Sequence, residues 1–230
     1  VPGPKNYSRA QGGSDKPNPG SHLPNQGRVD LGNNLEGHLD APTQPPAPGG
    51  PVSFGHLKDA YINIVKQAGA NVPIRHGHIR GQMRGYYMNK LRVIRIRDHA
   101  NPSTIAHEVG HALRDAVFGW AKTGVWKRPL VHGAIQKELA RMGRALYGPS
   151  KPNGGYKEEG WAEFIRIYMK NPDKARFAAP ETYDWFHNVF LAARPDVAEA
   201  FEQARDLTDR WTDQGSRQRA LAEQAYAARV

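Results

Sequence analysis

The stretch that decides the fold is His107-Glu108-Val109-Gly110-His111, which lies inside a segment with helical periodicity. On a helix, residues four positions apart project from the same face, so both imidazoles can reach one metal ion. Glu108 then lies beside that ion, where its carboxylate can take a proton from a bound water. The pentapeptide therefore predicts a metal-binding helix that carries its own general base.

The residues around the pentapeptide also favour a helix. Asn101 and Ser103 are both candidate N-caps, and we expect the helix to run to about Trp120. Apolar side chains recur at helical spacing, at Ile105, Val109, Ala112 or Leu113, and Ala116 or Val117. One face of the helix is therefore expected in the core, with the histidines flanking it. This HExxH arrangement is typical of zinc hydrolases, most of which are proteases.

Two histidines do not hold zinc tightly, so a catalytic site needs a third protein ligand and one open position. The chain has no cysteine, which leaves His, Asp or Glu as the ligand. The downstream candidates are Glu158, Glu159, Glu163, His132 and His187. Glu159 and Glu163 share one face of a predicted helix, so one can bind zinc while the other accepts the second N–H of a ligating histidine. Glu158 suits the acidic first turn of that helix.

The rest of the chain predicts an α+β fold that is mostly α. Two strands within 79–97, joined by a turn at Asn89-Lys90, form a small hairpin or sheet beside the metal helix. Further helices are expected over 52–68, 131–146, 157–170 and 181–193, followed by two C-terminal helices at about 197–211 and 221–228.

Residues 1–50 differ in composition from the rest. They hold nine of the 18 prolines and nine of the 24 glycines, with few large apolar side chains, so they predict an extended arm or linker. Residues 51–230 are then the folded domain. The arm has equal numbers of acidic and basic residues, so the net charge of +10 belongs to this domain. The basic residues are scattered, which indicates mostly a solvated surface.

The chain carries no stretch of about 18 apolar residues, so no membrane span is expected. No signal peptide opens it, and it begins with Val rather than Met. We therefore expect a processed product or a piece of a larger polypeptide, whose arm contacts a partner or the parent protein.

The zinc motifs resemble those of a known family, the gluzincin metalloproteases of the anthrax lethal factor and Pro-Pro endopeptidase type. Those proteins have His-Glu-x-Gly-His followed by a helix with Glu-x-x-Ala-Glu, and this chain has residues 107–111 followed by Glu159-Gly160-Trp161-Ala162-Glu163. Similar domains occur in phage polyproteins and polymorphic toxins. The resemblance covers about residues 55–190 and implies a zincin-like fold. It also favours a secreted effector or a virion-associated protein.

The resemblance assigns zinc to His107, His111 and Glu159, with Glu163 outside the ligand shell. It implies an endopeptidase acting on a protein or peptide substrate, with Glu108 as general base on a zinc-bound water. These families also place a tyrosine seven residues before the ligand glutamate to stabilise the oxyanion, but Pro152 stands there in this chain. Tyr156 is the predicted donor, because it precedes Glu159 by less than a helical turn, and Tyr147 is the alternative.

In gluzincins an edge strand beside the site pairs with an extended substrate. The strand from Ile79 to Tyr87 is the candidate for that edge, and Arg80 and Arg84 on it would favour acidic residues in the substrate.

Two other classes of function compete with the endopeptidase. One is a catalytically silent zinc-binding structural module of a phage virion or secreted toxin, against which Glu108 argues, because zinc binding alone does not need it. The other is a nucleic-acid binder. The net charge allows it, but the chain has neither an array of interleaved basic and aromatic residues nor zinc-finger spacing.

Overall fold

A computed structural model of the protein describes residues 46–77, 79, 84–97, 101–118, 133–149 and 155–228. These residues belong to one compact unit, Asp40–Val230. Of the described residues 71% are helical, and a small three-stranded sheet accompanies the helices. The α+β, mostly α expectation is confirmed at this level.

The elements follow one another in the chain as α1 (Phe54–Gln67), β1 (Ile74–His76), β2 (Gly85–Met88), β3 (Val93–Ile96), α2 (Pro102–Phe118), α3 (Gly133–Tyr147), α4 (Tyr156–Lys170), α5 (Pro172–Ala178), α6 (Pro180–Tyr183), a π-helical segment (Asp184–Leu191), α7 (Pro195–Asp213) and α8 (Ser216–Ala227). The short helix α5 was not expected from the sequence. The helix predicted over 181–193 is observed as α6 and the π-helical segment, and α8 begins five residues before Leu221. The end of the predicted metal helix, Gly119 and Trp120, lies outside the described residues.

Capping residues decide where two of the helices begin. Ser53 caps α1, where its hydroxyl accepts a hydrogen bond from the backbone N–H of His56 at 3.0 Å. Asn101 caps α2, because its Oδ1 accepts from the backbone N–H of Ser103 at 2.9 Å. Of the two candidate caps, Asn101 therefore takes the role. Ser103 lies in the first turn of α2, with its hydroxyl available for another contact.

The strands that the structure describes have the order β1–β3–β2, in which β2 is an edge strand. The predicted hairpin is confirmed in a shorter form: β2 pairs antiparallel with β3, with Tyr86 opposite Arg95. The parallel pairing of β1 with β3 was not predicted, since three residues are too few to show an alternating pattern. Ile79 is buried but lies outside any strand, and Arg80 lies outside the described residues.

An aromatic cluster fills the core between α2, α4, the π-helical segment and α7. Its fully buried members are Phe118, Trp161, Phe164, Tyr168, Phe186 and Phe201. Neighbouring rings meet mainly edge to face, as for Trp161 and Phe118 at 5.2 Å between centroids. Because α4 supplies three of these rings, the helix is fixed firmly against α2, and the residues on its opposite side are positioned with it.

The described end of the proline-rich arm contacts α7. The guanidinium of Arg210 donates to the backbone carbonyls of Ala47 at 3.1 Å and Gly50 at 2.7 Å. Val52 is completely buried, and its backbone N–H donates to Gln214 at 2.9 Å. Residues 1–45 lie outside the described residues, so the expectation of an extended arm remains a prediction for them.

Among the described helices, none is both long enough and apolar enough to cross a membrane.

Candidate metal centre

The helix α2 presents His107 and His111 on one face, as their spacing predicts. Their ring centroids lie 5.0 Å apart and the rings are nearly perpendicular. Each side chain is about 15% exposed, so the rings are held by their surroundings yet can be reached from solvent. Two imidazoles that converge in this way can share one ion.

The helix α4 brings Glu159 to the same point. Its Oε2 lies 3.3 Å from Nε2 of His107 and 3.5 Å from Nε2 of His111. Donor atoms of the three residues lie within 4.8 Å of one another, so the group could hold a metal ion. Two ligands at the bond lengths of about 2.0–2.1 Å and tetrahedral angles that zinc prefers stand about 3.3–3.4 Å apart. The two distances to Glu159 match that separation.

Small residues allow the two ligand-bearing helices to approach each other. Gly110 faces the backbone of Ala162, and a methyl group at position 110 would lie 2.7 Å from its Cα. The indole N–H of Trp161 donates to the carbonyl of Gly110 at 2.9 Å, which fixes the register of α4 against α2. Gly160 packs against the backbone of Leu139 on α3 in the same manner. The contacts of Gly110 with Ala162 and Trp161 thus set the distance between α2, which carries the two histidines, and α4, which carries Glu159.

Glu108 is buried under the edge strand. Only 7% of the residue is exposed, and a side chain added at Gly85 of β2 would stand 3.2 Å from its Cγ. Burial raises the pKa of Glu108 to about 7, and the negative charge of Glu159 adds to this increase. The charge of His107 and a hydrogen bond from the backbone of Tyr87 lower the pKa but do not outweigh burial. A carboxylate in this position is poised to accept a proton rather than to pair with a surface cation.

The two histidines respond differently to the surrounding carboxylates. For His107, burial lowers the pKa, but the contacts with the carboxylates of Glu159 and Glu163 outweigh burial and raise it to about 9. Burial lowers the pKa of His111 despite its contact with Glu159. The carboxylates thus place negative charge around the rings, which is the environment a cation needs.

Glu163 lies behind His107, on the side away from Glu159. Its Oε2 is 3.8 Å from Nδ1 of that ring, and both of its oxygens accept hydrogen bonds from Arg166. Burial raises the pKa of Glu163, but the hydrogen bonds from Arg166 and the nearby His107 ring outweigh burial and lower the pKa to about 2. The carboxylate stands where an outer partner of a ligating histidine is expected. Arg166 and its bond to Ser103 were not anticipated, because only the packing of α4 against α2 brings them together.

The structure places Tyr147, rather than Tyr156, beside the candidate ligand Glu159. The hydroxyl of Tyr147 donates to Oε2 of Glu159 at 2.9 Å, whereas that of Tyr156 donates to the carbonyl of Gly148 at 3.1 Å. Tyr156 as the oxyanion donor stays a prediction, but its hydroxyl is held at the end of α3 rather than at Glu159. Tyr156 is the first residue of α4, and its side chain turns back to the end of α3, which Gly148 terminates with a φ of +68°. Tyr147 reaches Glu159 because α3 lies alongside α4.

Two of the other predicted site residues lie elsewhere. His187 hydrogen-bonds to the hydroxyl of Tyr168 at 2.8 Å and stacks on Tyr183, so it lies at the exposed edge of the aromatic cluster. Glu158 lies in the first turn of α4, as expected for an acidic residue near a helix start. His132 and Pro152 lie outside the described residues.

The grouping of these residues depends on the packing of α2, α3 and α4. Comparison with known proteins gives no relative from which the role of this group could be read. The chain matches none of the protein-family models, curated proteins or solved structures with which it was compared.

Proposed function

We propose that the protein is a zinc-dependent endopeptidase with a zincin-like catalytic domain, in which Glu108 is the general base. The observation that carries this proposal is the convergence of His107, His111 and Glu159 at ligand distances beside the buried Glu108. Each residue of the centre can take a role that peptide hydrolysis requires. Two imidazoles and one carboxylate form a three-residue ligand set that leaves one position open for the substrate or for water.

The donor atoms favour zinc over other abundant cations. Calcium and magnesium prefer sites built of oxygen, whereas two ring nitrogens with one carboxylate suit zinc. The ligand separations of 3.3 and 3.5 Å also agree with tetrahedral zinc. Because the chain has no cysteine, a thiolate-rich structural zinc site is excluded. Two histidines and one glutamate are instead the ligand set of some hydrolytic zinc sites.

Glu108 and Tyr147 would have separate roles in hydrolysis. Zinc, when bound, polarises the scissile carbonyl and makes water more acidic. Glu108 would accept a proton from the attacking water and pass it to the leaving amine. Tyr147 would donate its hydroxyl to the developing oxyanion, since its hydroxyl already lies 2.9 Å from the carboxylate of Glu159. Its side chain is about half exposed, so it can turn from the carboxylate to a substrate.

The edge strand β2 is the proposed binding surface for the substrate backbone. It lies over Glu108, and its outer side has no partner strand among the described residues. An extended peptide could therefore add to the sheet as a further strand. Arg84 is exposed immediately before β2 and would favour an acidic side chain in the peptide.

A peptide-library cleavage assay with and without chelator, combined with metal analysis, tests the proposal. We expect about one zinc per chain and cleavage that a chelator abolishes and added zinc restores. The variants His107→Ala and Glu159→Ala should lose both zinc and cleavage. Zinc retained by either variant at full affinity would contradict the ligand assignment. Zinc binding without any cleavage would instead indicate the catalytically silent structural module.

A further inference from the structure

Arg166 lies one turn after Glu163 on α4 and joins two parts of the metal centre. Its Nε donates to Oε2 of Glu163 at 2.7 Å, and its Nη2 donates to the other oxygen of the same carboxylate. Its Nη1 donates to the hydroxyl of Ser103 at 3.0 Å. One guanidinium therefore ties the first turn of the metal helix α2 to the helix that carries Glu159.

The double contact with Arg166 fixes the orientation of the Glu163 carboxylate. A planar guanidinium that holds both oxygens prevents the carboxylate from rotating, which a single hydrogen bond would not do. Oε2 of Glu163 thus stays 3.8 Å from Nδ1 of His107, while Nε2 of that ring faces Glu159 at 3.3 Å. The two nitrogens of His107 therefore have separate partners.

We propose that Arg166 is a positioning residue for metal binding, which acts by holding Glu163 against Nδ1 of His107 and bracing it on Ser103. At 3.8 Å the carboxylate acts on Nδ1 through its charge, which favours the tautomer with the proton on Nδ1 and leaves the lone pair of Nε2 for the metal. The inference rests on the metal-binding part of the proposed function and is independent of the peptidase chemistry.

A positioning role differs from a purely structural one in what it changes. The side chain of Arg166 is about one-third exposed, whereas that of Glu163 is only 12% exposed. Removing the positive charge would therefore leave a buried carboxylate unpaired, but Arg166→Lys keeps the charge beside it and should cost little folding stability. The loss of such an outer partner, in contrast, lowers metal affinity by about 10- to 100-fold. Metal affinity should therefore fall in Arg166→Lys, while the thermal stability of the metal-free chain stays nearly unchanged.

The test is a double-mutant cycle in the full chain, with zinc affinity measured by competition with a chelator. We expect Arg166→Met and Glu163→Gln each to weaken zinc binding about 10-fold or more. The double variant should bind no more weakly than Glu163→Gln alone, because Arg166 acts through Glu163. Lys170→Met is the matched control: it removes one exposed positive charge one turn further along α4 and should leave zinc affinity unchanged.

Two more measurements distinguish positioning from folding. Arg166→Lys keeps the charge but cannot hold both oxygens, and it should still lose about 10-fold in zinc affinity. Nitrogen-15 NMR of the zinc-loaded wild type should show His107 protonated at Nδ1, and Arg166→Met should broaden or shift that signal. If Arg166→Met fails to fold, Arg166→Lys provides the affinity comparison.

The possible failures are distinguishable. Wild-type zinc affinity in Arg166→Lys and Arg166→Met would overturn the inference alone, as would losses that simply add in the double variant. A wild-type chain that binds no zinc would overturn the proposed function together with the inference.

Discussion

Gly110 of α2 lies directly against Ala162 of α4, and a methyl group at position 110 would stand 2.7 Å from the Ala162 Cα. Each of the two residues lies inside a ligand motif. Gly110 immediately precedes His111, and Ala162 follows Glu159 by three positions. The two halves of the metal centre therefore meet because the backbones of their helices approach more closely than ordinary side chains allow.

We expect Gly110→Ala to reduce both stability and metal affinity. The added methyl group meets backbone rather than a flexible side chain, and such overpacking costs about 1–3 kcal/mol. Thermal unfolding and zinc competition measure the two effects. Gly133→Ala is the control: it meets nothing within 4 Å, so its free energy of unfolding should stay within about 0.5 kcal/mol of wild type. An unchanged Gly110→Ala protein would contradict the packing argument.

Glu108→Gln should retain zinc and lose most of its turnover. The amide cannot accept a proton from water, and loss of general acid–base catalysis costs about 100-fold or more. Zinc content and the cleavage rate of a validated peptide measure the effect. Glu202→Gln, an exposed substitution on α7, controls for the change of charge. Cleavage by Glu108→Gln at the wild-type rate would exclude the proposed mechanism.

Tyr147→Phe should lower turnover about 10- to 1000-fold with little change in substrate affinity, as expected for a donor used mainly in the transition state. Tyr156→Phe loses a hydrogen bond to Gly148 and should reduce stability by about 0.5–1.5 kcal/mol. Steady-state kinetics of both variants decides between the two tyrosines. A turnover loss confined to Tyr156→Phe would return the role to that residue, and no loss in either would leave the oxyanion to zinc alone.

A fragment of residues 51–230 should keep its melting temperature within a few degrees of the full chain. It loses the contacts of Arg210 with Ala47 and Gly50, which lie at the surface and contribute little. A fragment that begins at Ser53 also loses the buried Val52, whose removal from the core costs about 1.5–3 kcal/mol. Calorimetry of the two fragments compares them. A large drop already at residue 51 would show that the arm contributes to the folded domain.

Several features follow from the sequence because they are local. The positions of His107 and His111 on one face depend only on the helical repeat, and the same holds for Glu159 and Glu163. The hairpin of β2 and β3 is also recognisable, because its strands are neighbours in the chain and alternate in hydrophobicity. Such features involve residues within one element or across one turn, where the backbone geometry is nearly fixed.

Relationships between distant elements required the folded structure. Tyr147 and Tyr156 both precede Glu159, and the sequence favoured the nearer one, but the packing of α3 along α4 brings Tyr147 to the carboxylate. Position in the chain does not reveal the direction in which a side chain leaves a helix end. The parallel pairing of β1 with β3 likewise joins residues about 20 positions apart without a pattern in either segment.

By itself, the sequence determined the types of the candidate ligands and their spacing within each helix, because the helical repeat converts spacing into a shared face. Tertiary structure alone decided that Arg166 reaches Ser103 and that Gly110 meets Ala162, at separations of 63 residues and 52 residues. These contacts depend on the crossing of α2 and α4, which the whole aromatic core sets through Trp161 and its neighbours. Close packing between helices depends on all contacts at once, so no single segment encodes it.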